Sequence, residues 1–332
     1  MRTLTYAQAI REGFAQSLKS DPSVFIIGQG VWAPWYVGSS MKDLEKEFGK
    51  ERVIDCPVSE NGTTGAAIGA AIAGMRPVVI HPRVDFLLLA VDQVVNEAAN
   101  WSYMFGGRSC VPMTIRPIIN RGGEQAAQHS QALQAFFAHV PGLKVVMPTT
   151  PYDAKGLLIA SIQDNNPVIY IDDRWLYEEE GEVPEEMYQV PIGKGVVRRP
   201  GRDVTIVAVS FMVIEAMKAA KELEQTGVEV EVIDVRSLKP LDEEIIFQSV
   251  EKTGRLVVAD AAWMTCGFAA EVAARVASQR FQSLKAPILR VTLPDVPAPM
   301  SKPLEDVYFP KAKDIVRAVK QTLASEKIKQ GV

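Results

Sequence analysis

Short runs of β-branched residues alternate with helical patterns along almost the whole chain, and this alternation restricts the possible folds more than any other feature. Each strand of a parallel sheet must be followed by a crossover, usually a helix, before the next strand begins. The pattern therefore predicts an α/β fold with doubly wound sheets, covered by helices on both faces. The predicted strands are Val24–Ile27, Val53–Asp55, Val78–His81, Met113–Arg116, Lys144–Met147, Val168–Ile171, Val204–Val209, Glu229–Asp234, Leu256–Ala259 and Ile288–Val291. The predicted helices are Tyr6–Leu18, Leu88–Trp101, Tyr152–Gln163, Val213–Gln225, Glu243–Lys252 and Ala269–Phe281.

An acidic stretch near the middle of the chain interrupts the alternation. Residues Glu178–Glu186 read EEEGEVPEE and have no apolar period, which is typical of a surface connection, and a new strand–helix series starts after Gly201. The length of 332 residues also exceeds the size at which one hydrophobic core usually keeps growing. The sequence therefore predicts two doubly wound domains, residues 1–180 and 201–332, with a linker at 181–200.

The composition argues against several classes of function. A net charge of −4 provides no basic surface for nucleic acid. The three cysteines form no CxxC pair and the three histidines form no HExxH-type cluster, so neither a disulfide framework nor a zinc site is indicated. No apolar run reaches the roughly 18 residues of a membrane span, and no signal peptide begins the chain. We therefore expect a cytoplasmic protein that binds neither nucleic acid nor membrane.

The segment Cys56–Gly74 carries the most chemical information. It reads CPVSENGTTGAAIGAAIAG, in which a polar turn follows a strand and leads into a helix of small residues. Glu60 lies at this turn, at the carboxyl end of the strand, where open α/β sheets bind their ligands. Position alone also allows a simpler role, in which Glu60 is an acid that meets the positive end of the helix.

The same helix has glycines at a spacing that places them on one face. Gly65 and Gly69 are four residues apart with alanines between them. A face of small residues permits close approach by another backbone, either at a subunit interface or where the helix packs on its own sheet. Both interpretations remain open from the sequence.

Cys56–Gly74 and the segments that follow it resemble the beta subunits of thiamine-diphosphate-dependent 2-oxo acid dehydrogenase first components, of the pyruvate, branched-chain and acetoin types. This family belongs to the transketolase-like superfamily, and the resemblance covers nearly the whole chain in colinear order. It implies a pyrimidine-binding domain followed by a domain like the C-terminal domain of transketolase. The further segments that carry it are Arg76–Phe86, Ala90–Ala99, Gln128–Leu158, Asp203–Ala216, Val232–Asp242 and Lys252–Asp260.

The resemblance implies roles for three residues. Glu60 matches the catalytic glutamate that contacts N1′ of the cofactor aminopyrimidine and promotes its imino tautomer. Phe86 matches the aromatic residue that stacks on the pyrimidine, although a plain core phenylalanine would give the same local pattern. His129, in the sequence QHSQ, matches a catalytic histidine that faces the thiazolium and the substrate. Without the resemblance, His129 would be interpreted as a surface-loop residue.

The resemblance also suggests a potassium site. The carbonyl oxygens of Met113 and Ser161, together with Asp164 and Asn166, match the segment that holds potassium in some relatives. Exposed carbonyls at the carboxyl end of a helix favour a cation. An ordinary helix C-cap before Pro167 is the alternative.

The diphosphate half of the cofactor has no matching motif in this chain. Relatives bind the diphosphate and magnesium with GDG followed by Asn, and no GDG occurs here. The resemblance therefore implies an alpha-type partner that supplies this half. Further expectations are a heterotetramer of two alpha and two beta chains, magnesium held mainly by the partner, and an association with a lipoyl acyltransferase.

Some residues differ from those of the pyruvate-type relatives. Gln29 replaces an acid that those relatives place in a polar tunnel between active sites, and Trp32, Trp35 and Tyr36 are unusual at the turn that follows. The departures leave one alternative open, the C-terminal half of a split transketolase-like enzyme that transfers a ketol or aldehyde unit. A non-catalytic subunit that retains the fold is a further alternative, and the joint presence of Glu60, Phe86 and His129 argues against it. A nicotinamide-dependent dehydrogenase is disfavoured, because no dinucleotide fingerprint follows an early strand.

Overall fold

The computed structural model describes residues 2–329 and divides the chain into two compact units. The first comprises the residues up to Arg121 together with Gln128–Ile192. The second comprises Gly122–Ala127 and the residues from Gly193 onward. The predicted linker, residues 181–200, contains most of one strand that pairs within the first unit and all of another that pairs within the second. The exact domain bounds remain a prediction.

The strands and helices of the first unit alternate in sequence, as predicted. The strands are β1 Arg2–Thr5, β2 Val24–Gly28, β3 Val53–Asp55, β4 Arg76–His81, β5 Thr114–Ile119, β6 Lys144–Val146, β7 Val168–Tyr170, β8 Asp172–Asp173 and β9 Glu180–Val183. The α-helices are α1 Tyr6–Ser20, α2 Pro34–Val37, α3 Leu44–Phe48, α4 Glu60–Ile72, α5 Val84–Leu87, α6 Ala99–Met104, α7 Gln134–His139 and α8 Pro151–Gln163. Shorter 3₁₀ turns lie at Gly38–Met41, Leu88–Ala90 and Arg174–Leu176.

The main sheet of the first unit is parallel, with strand order β6–β7–β5–β4–β2–β3. The central strands β4 and β5 are almost wholly buried, which accounts for their mainly apolar sequence, and the polar side chains of His81 and Arg116 are buried with them. β8 extends the pairing with β5, and β1 pairs separately with β9 in an antiparallel ribbon. Because the strands of the main sheet are parallel, their carboxyl ends meet at one edge, where a ligand is expected.

One predicted helix has a different form in the structure. Leu88–Trp101 was predicted as one helix, and the structure divides it: a 3₁₀ turn at Leu88–Ala90, a π-helix at Gln93–Ala98, and an α-helix from Ala99. The apolar spacing shows which face is buried, and it does not determine the hydrogen-bond register. This segment packs against the small-residue helix α4.

The second unit repeats the α/β plan around its own core. Its strands are β10 Val196–Arg199, β11 Val204–Ala208, β12 Val230–Asp234, β13 Ser237–Lys239, β14 Leu256–Trp263 and β15 Leu289–Leu293. Its helices are α9 Phe211–Glu224, α10 Glu243–Thr253, α11 Phe268–Gln279, α12 Lys302–Tyr308 and α13 Ala312–Lys329, with a 3₁₀ turn at Phe281–Ser283. The sheet order is β10–β12–β11–β14–β15, in which only the β10–β12 pair is antiparallel. The predicted fold class, two doubly wound α/β domains, is confirmed.

Candidate active site

Glu60 is the first residue of helix α4, five residues after β3 ends at Asp55. Its side chain is half-buried and, among the residues that the structure describes, makes no hydrogen bond or ion pair. The first turn of a helix is electrically positive and favours a carboxylate. Glu60 thus presents a free carboxyl group at the carboxyl edge of the sheet, where it is available to a ligand.

A buried histidine ties helix α4 to the centre of the sheet. Oγ1 of Thr64, one turn after Glu60, lies 3.3 Å from Nε2 of His81, the last residue of β4. Burial lowers the pKa of His81 to about 4, so its imidazole is neutral at physiological pH. The contact fixes the start of α4 relative to β4, which leads directly into the next part of the site.

Phe86 and His129 are brought together, although 43 positions separate them in the sequence. Their ring centroids are 5.3 Å apart and the rings are nearly perpendicular, at 88°. Phe86 lies on the short helix α5 after β4, and His129 lies in the loop before α7; both side chains are partly exposed. An edge-to-face contact of this kind orients the imidazole without covering it.

Asp85 connects the same two segments, and the sequence analysis did not identify it. Its Oδ1 accepts a hydrogen bond from the backbone N–H of Gln131 at 3.2 Å. Burial raises the pKa of Asp85, while the nearby charge of His129 acts in the opposite direction. Oδ2 is buried and has no hydrogen-bond partner within residues 2–329. The one sequence signal was an acid inside the apolar run before Ala90, beside Phe86.

The end of β2 and the turn that follows it are sterically restricted at Gly28 and Gly30. A Cβ atom at Gly28 would lie 2.5 Å from the carbonyl oxygen of Ile80 in β4. Gly30 has φ +65°, and a Cβ there would lie 2.3 Å from the ring of Tyr36. Its N–H donates to Oδ1 of Asp55 at 2.7 Å. The turn therefore requires glycine on both sides of Gln29.

The aromatic residues after this turn have different environments. Nε1 of Trp32 donates to the carbonyl oxygen of Val53 at 2.8 Å, and the Lys50 ammonium lies 4.6 Å from the Trp32 ring centroid. Trp35 is 75% exposed. Trp32 is thus held against β3, whereas Trp35 extends toward solvent at the edge of the sheet.

A buried charge network supports the carboxyl edge of β5. The guanidinium of Arg116 donates to both carboxylate oxygens of Asp172, at 3.0 and 2.8 Å, and to Oγ of Ser40 at 2.9 Å. The hydroxyl of Tyr177 donates to Asp172 at 2.6 Å. Burial acts against the charge on Arg116, yet Asp172 raises the pKa of the guanidinium above its usual range. The guanidinium of Arg116 therefore stays charged in the interior.

The four residues of the predicted potassium site lie near the end of α8. The carbonyl oxygen of Ser161 accepts the N–H of Asp164 at 3.3 Å, and Oδ1 of Asp164 accepts the N–H of Asn166 at 2.9 Å. The carbonyl oxygen of Met113 accepts the N–H of Val168 at 3.0 Å. The oxygens of Met113, Ser161 and Asp164 thus already accept a hydrogen bond each, although a carbonyl or carboxylate oxygen retains a second lone pair.

Two protein cations also occupy this neighbourhood. Lys144 forms an ion pair with Oδ2 of Asp164. Nη1 of Arg76 donates to the carbonyl oxygens of Ile162 and Asp164, at 3.1 and 3.0 Å. These contacts satisfy part of the negative end of the helix. The potassium site remains a prediction.

The residues around Glu60 suit the pyrimidine half of thiamine diphosphate. Glu60 provides a carboxyl group and Asp85 a buried carboxyl oxygen, neither with a hydrogen-bond partner within residues 2–329, and Phe86 provides a partly exposed ring. The segments of all three residues end at the carboxyl edge of the sheet. Within residues 2–329 there is no group of three or more His, Cys, Asp and Glu side chains that could hold a metal ion. In the same range, no helix is long and apolar enough to cross a membrane.

Two protein-family models together match most of the chain. Residues 2–179 match the pyrimidine-binding domain of transketolase, and residues 193–315 match the C-terminal domain of transketolase.

Similar proteins align with this chain from end to end. The beta subunit of the acetoin:2,6-dichlorophenolindophenol oxidoreductase of Bacillus subtilis (strain 168) is 43% identical, over 97% of this chain and 98% of that subunit. The pyruvate dehydrogenase E1 component subunit beta of Staphylococcus epidermidis (strain ATCC 12228 / FDA PCI 1200) is 42% identical, over 97% and 99%. Identity at this level over whole chains establishes a common family.

Solved structures agree on the fold. An inactive beta4 tetramer of a split-gene transketolase superposes with a TM-score of 0.77 at 23% identity, covering 97% of this chain and 99% of that one. A transketolase of Pichia stipitis superposes with a TM-score of 0.70 at 13% identity, covering 98% of this chain and 47% of that one. These similarities concern the fold alone. The two domain matches and the end-to-end relatives show that the chain belongs to the beta subunits of thiamine-diphosphate-dependent 2-oxo acid dehydrogenase first components, within the transketolase-like superfamily.

Proposed function

We propose that this chain provides the pyrimidine-binding half of an active site that decarboxylates a 2-oxo acid oxidatively and transfers the acyl unit. The observation that carries the proposal is the contact of Phe86 with His129, on the same sheet edge as the Glu60 carboxyl, which has no partner within residues 2–329. Relatives that match this chain over their whole length are named for pyruvate and acetoin oxidation. When bound, thiamine diphosphate supplies a nucleophilic carbon and an electron sink.

Glu60 is assigned the proton-holding role. Its carboxyl would contact N1′ of the aminopyrimidine and share a proton with that nitrogen. A carboxyl at a helix start is pre-oriented, and the contact between Thr64 and His81 holds that helix in place. The absence of an internal partner within the described residues leaves the Glu60 carboxyl free for this role.

Phe86 and His129 are assigned to binding and proton transfer. Phe86 would present a ring face to the pyrimidine, since its edge-to-face contact with His129 leaves other parts of the ring accessible. His129 would donate a hydrogen bond to the substrate oxygen, or move a proton there, from its imidazole. Asp85 holds the loop that carries His129.

The family requires a second chain to complete the cofactor site. An alpha-type partner would bind the diphosphate and supply most of the ligands of the magnesium ion, because this chain has no GDG motif. We further propose a heterotetramer of two alpha and two beta chains that acts in the cytoplasm and delivers acyl groups to a lipoyl acyltransferase. Mass analysis of the reconstituted complex tests the stoichiometry.

Potassium is proposed as a structural ion at Met113, Ser161, Asp164 and Asn166. If the ion binds there, replacing sodium chloride with potassium chloride at equal ionic strength raises the Tm of the wild-type chain. Asp164→Asn should reduce that difference. Equal melting in the two salts would remove potassium from the proposal.

Reconstitution tests the function directly. The chain is mixed with its alpha-type partner, thiamine diphosphate and magnesium, and reduction of 2,6-dichlorophenolindophenol is followed with a panel of 2-oxo acids and acetoin. We expect dye reduction that requires both chains, together with cofactor affinity in the micromolar range or tighter, or about −8 kcal/mol. The chain alone should bind the cofactor weakly.

The same assay separates the alternatives. Transfer of ketol units between sugars without dye reduction would identify a split transketolase-like enzyme. Neither reaction, with a correctly assembled complex that binds cofactor, would identify a non-catalytic subunit. Tight cofactor binding by this chain alone would contradict the division of the site between two chains.

A further inference from the structure

Two arginines lie at the carboxyl edge of the first unit and have no established role. Arg83 is two residues beyond the end of β4, and Arg174 follows β8 directly. Both β4 and β8 pair with β5, so the two arginines stand at neighbouring strand ends, where α/β sheets bind ligands.

Arg83 is buried with little compensation for its charge. Only 7% of the residue is exposed. Within residues 2–329, its guanidinium makes one hydrogen bond, from Nη1 to the carbonyl oxygen of Pro82 at 2.8 Å, while its buried Nε has no partner. Burial lowers the pKa of Arg83, and the charge of Arg174 lowers it further, while Asp85 acts in the opposite direction. A buried cation without an ion-pair partner is costly to the fold.

Arg174 is held in place by two backbone contacts. It donates to the backbone carbonyl oxygens of Trp35, at 3.3 Å, and Tyr36.

The two acids that precede Arg174 neutralise other arginines. Asp172 pairs with Arg116 at 2.8 Å, and Asp173 pairs with Arg121 at 2.7 Å. Asp85 is the remaining acid beside Arg83, and it directs Oδ1 to the N–H of Gln131. The pair Arg83 and Arg174 therefore keeps an excess of positive charge.

We propose that Arg83 binds an anionic group of the substrate, a carboxylate or a phosphate, with Arg174 adding positive charge beside it. The planar guanidinium fork matches both anions in geometry. Arg83 is three residues before Phe86, and Asp85 between them reaches the loop of His129. This inference rests on the proposed function, because it takes Phe86 and His129 to mark the reacting end of the substrate.

Anion binding to the complete chain tests the subsite without catalysis. Inorganic phosphate and acetate are titrated separately at ionic strength held constant with sodium chloride, and affinity is taken from the change in Tm. We expect Arg83→Met to weaken binding at least tenfold. Arg108→Met should leave it unchanged, because Arg108 is exposed and its Nε donates only to the Phe105 carbonyl oxygen among the described residues. If phosphate binds more tightly than acetate in an Arg83-dependent manner, the subsite takes a phosphate group. The opposite order identifies a carboxylate.

Stability without added anion provides a second readout. Because Arg83 is buried and has no counter-ion among residues 2–329, the Tm of Arg83→Met should exceed that of the wild type, by about 2–4 °C. A purely structural arginine would give a lower Tm. Arg83→Lys keeps the charge but not the fork, and it carries the test if the methionine variant is not recovered folded. We expect its anion affinity to lie between those of the other two proteins.

Two outcomes would overturn the subsite: equal anion affinity in the wild type and both Arg83 variants, or no affinity for either anion. In the assembled enzyme, the anion that binds should also compete with substrate, raising KM without changing kcat. Dye reduction without anion binding would refute this inference alone. Arg83-dependent anion binding without any 2-oxo acid turnover would refute the proposed function alone.

Discussion

Asp85 and Gln131 are joined by a 3.2 Å hydrogen bond, in which the backbone N–H of Gln131 donates to the Asp85 carboxylate. The bond joins the segment of Phe86 to the loop of His129 at a point where Asp85 is only 6% exposed. We expect Asp85→Ala to reduce the free energy of unfolding by about 1–3 kcal/mol, because it leaves the N–H of Gln131 without its acceptor. Urea denaturation measures this. If Asp85→Ala changed the free energy of unfolding by less than about 0.5 kcal/mol, as an exposed surface substitution does, Asp85 would not stabilise the loop of His129.

The pH dependence of Asp85→Asn tests the charge on the same side chain. Burial raises the pKa of Asp85, so the folded state holds its proton more tightly than the unfolded state. The wild type therefore loses stability as pH rises through the range above the ordinary pKa of aspartate. Asn cannot ionise, so the stability of the variant relative to the wild type should increase between pH 4 and pH 7. A constant difference would show that Asp85 has the same pKa in both states.

His81 should make the protein sensitive to acid. Its pKa is lowered to about 4 by burial, so between pH 6.5 and pH 4 the unfolded state binds a proton that the folded state does not. Its contribution is complete above pH 6.5 and falls by up to about 3 kcal/mol by pH 4. His81→Gln removes this titration, so denaturation curves at pH 7 and pH 4 should show the wild type losing more stability than the variant. Parallel pH profiles would exclude the effect.

The Arg116–Asp172 pair should be costly to break from one side. Asp172→Asn leaves a buried guanidinium without its counter-ion, and we expect a loss of about 3–5 kcal/mol in the free energy of unfolding. The double variant Arg116→Met with Asp172→Leu should lose less than the two single variants together. Asp306→Asn, in the exposed pair with Lys302, is the matched control and should change little. Additive single effects would indicate that the two charges do not interact.

Glu60→Gln separates the catalytic role from that of a helix-start acid. In the assembled complex saturated with cofactor, we expect exchange of the C2 proton for deuterium to slow by roughly two to four orders of magnitude, because Gln keeps the shape but cannot manage the proton. Glu244→Gln, in the exposed first turn of α10, should leave exchange unchanged. A wild-type exchange rate in the Glu60 variant would remove this residue from the proposed chemistry.

The regular elements were predictable where apolar periodicity reports burial. The strand Val53–Asp55 has the predicted bounds, and Glu243–Thr253 differs from its prediction by one residue. The strand Glu180–Val183 was not predicted, because EGEV has no apolar alternation and forms only by pairing with the distant Arg2–Thr5. The π-helix Gln93–Ala98 was missed, because periodicity does not specify hydrogen-bond register.

The site was predictable only in part, and for a similar reason. Glu60, Phe86 and His129 were selected by resemblance, and their roles stay predictions. That Phe86 touches His129 depends on the order of strands in the sheet, which no local pattern encodes. Arg83 and Asp85 were overlooked, because charged residues in a connecting segment usually face solvent. Their burial becomes visible only once the neighbouring strand ends are in place.

The glycines at positions 28 and 30 limit which positions around the end of β2 can accept another side chain. Any side chain at position 28 would have to push β2 away from β4, and one at position 30 would meet both a strained backbone and the ring of Tyr36. Gln29, between them, is only partly buried. If positions 28 to 30 were fully randomised and the library were selected for folded protein, the survivors would therefore keep glycine at positions 28 and 30 and would carry many different residues at position 29. Of the three positions 28 to 30, only the middle one can therefore exchange its side chain without a change in the backbone.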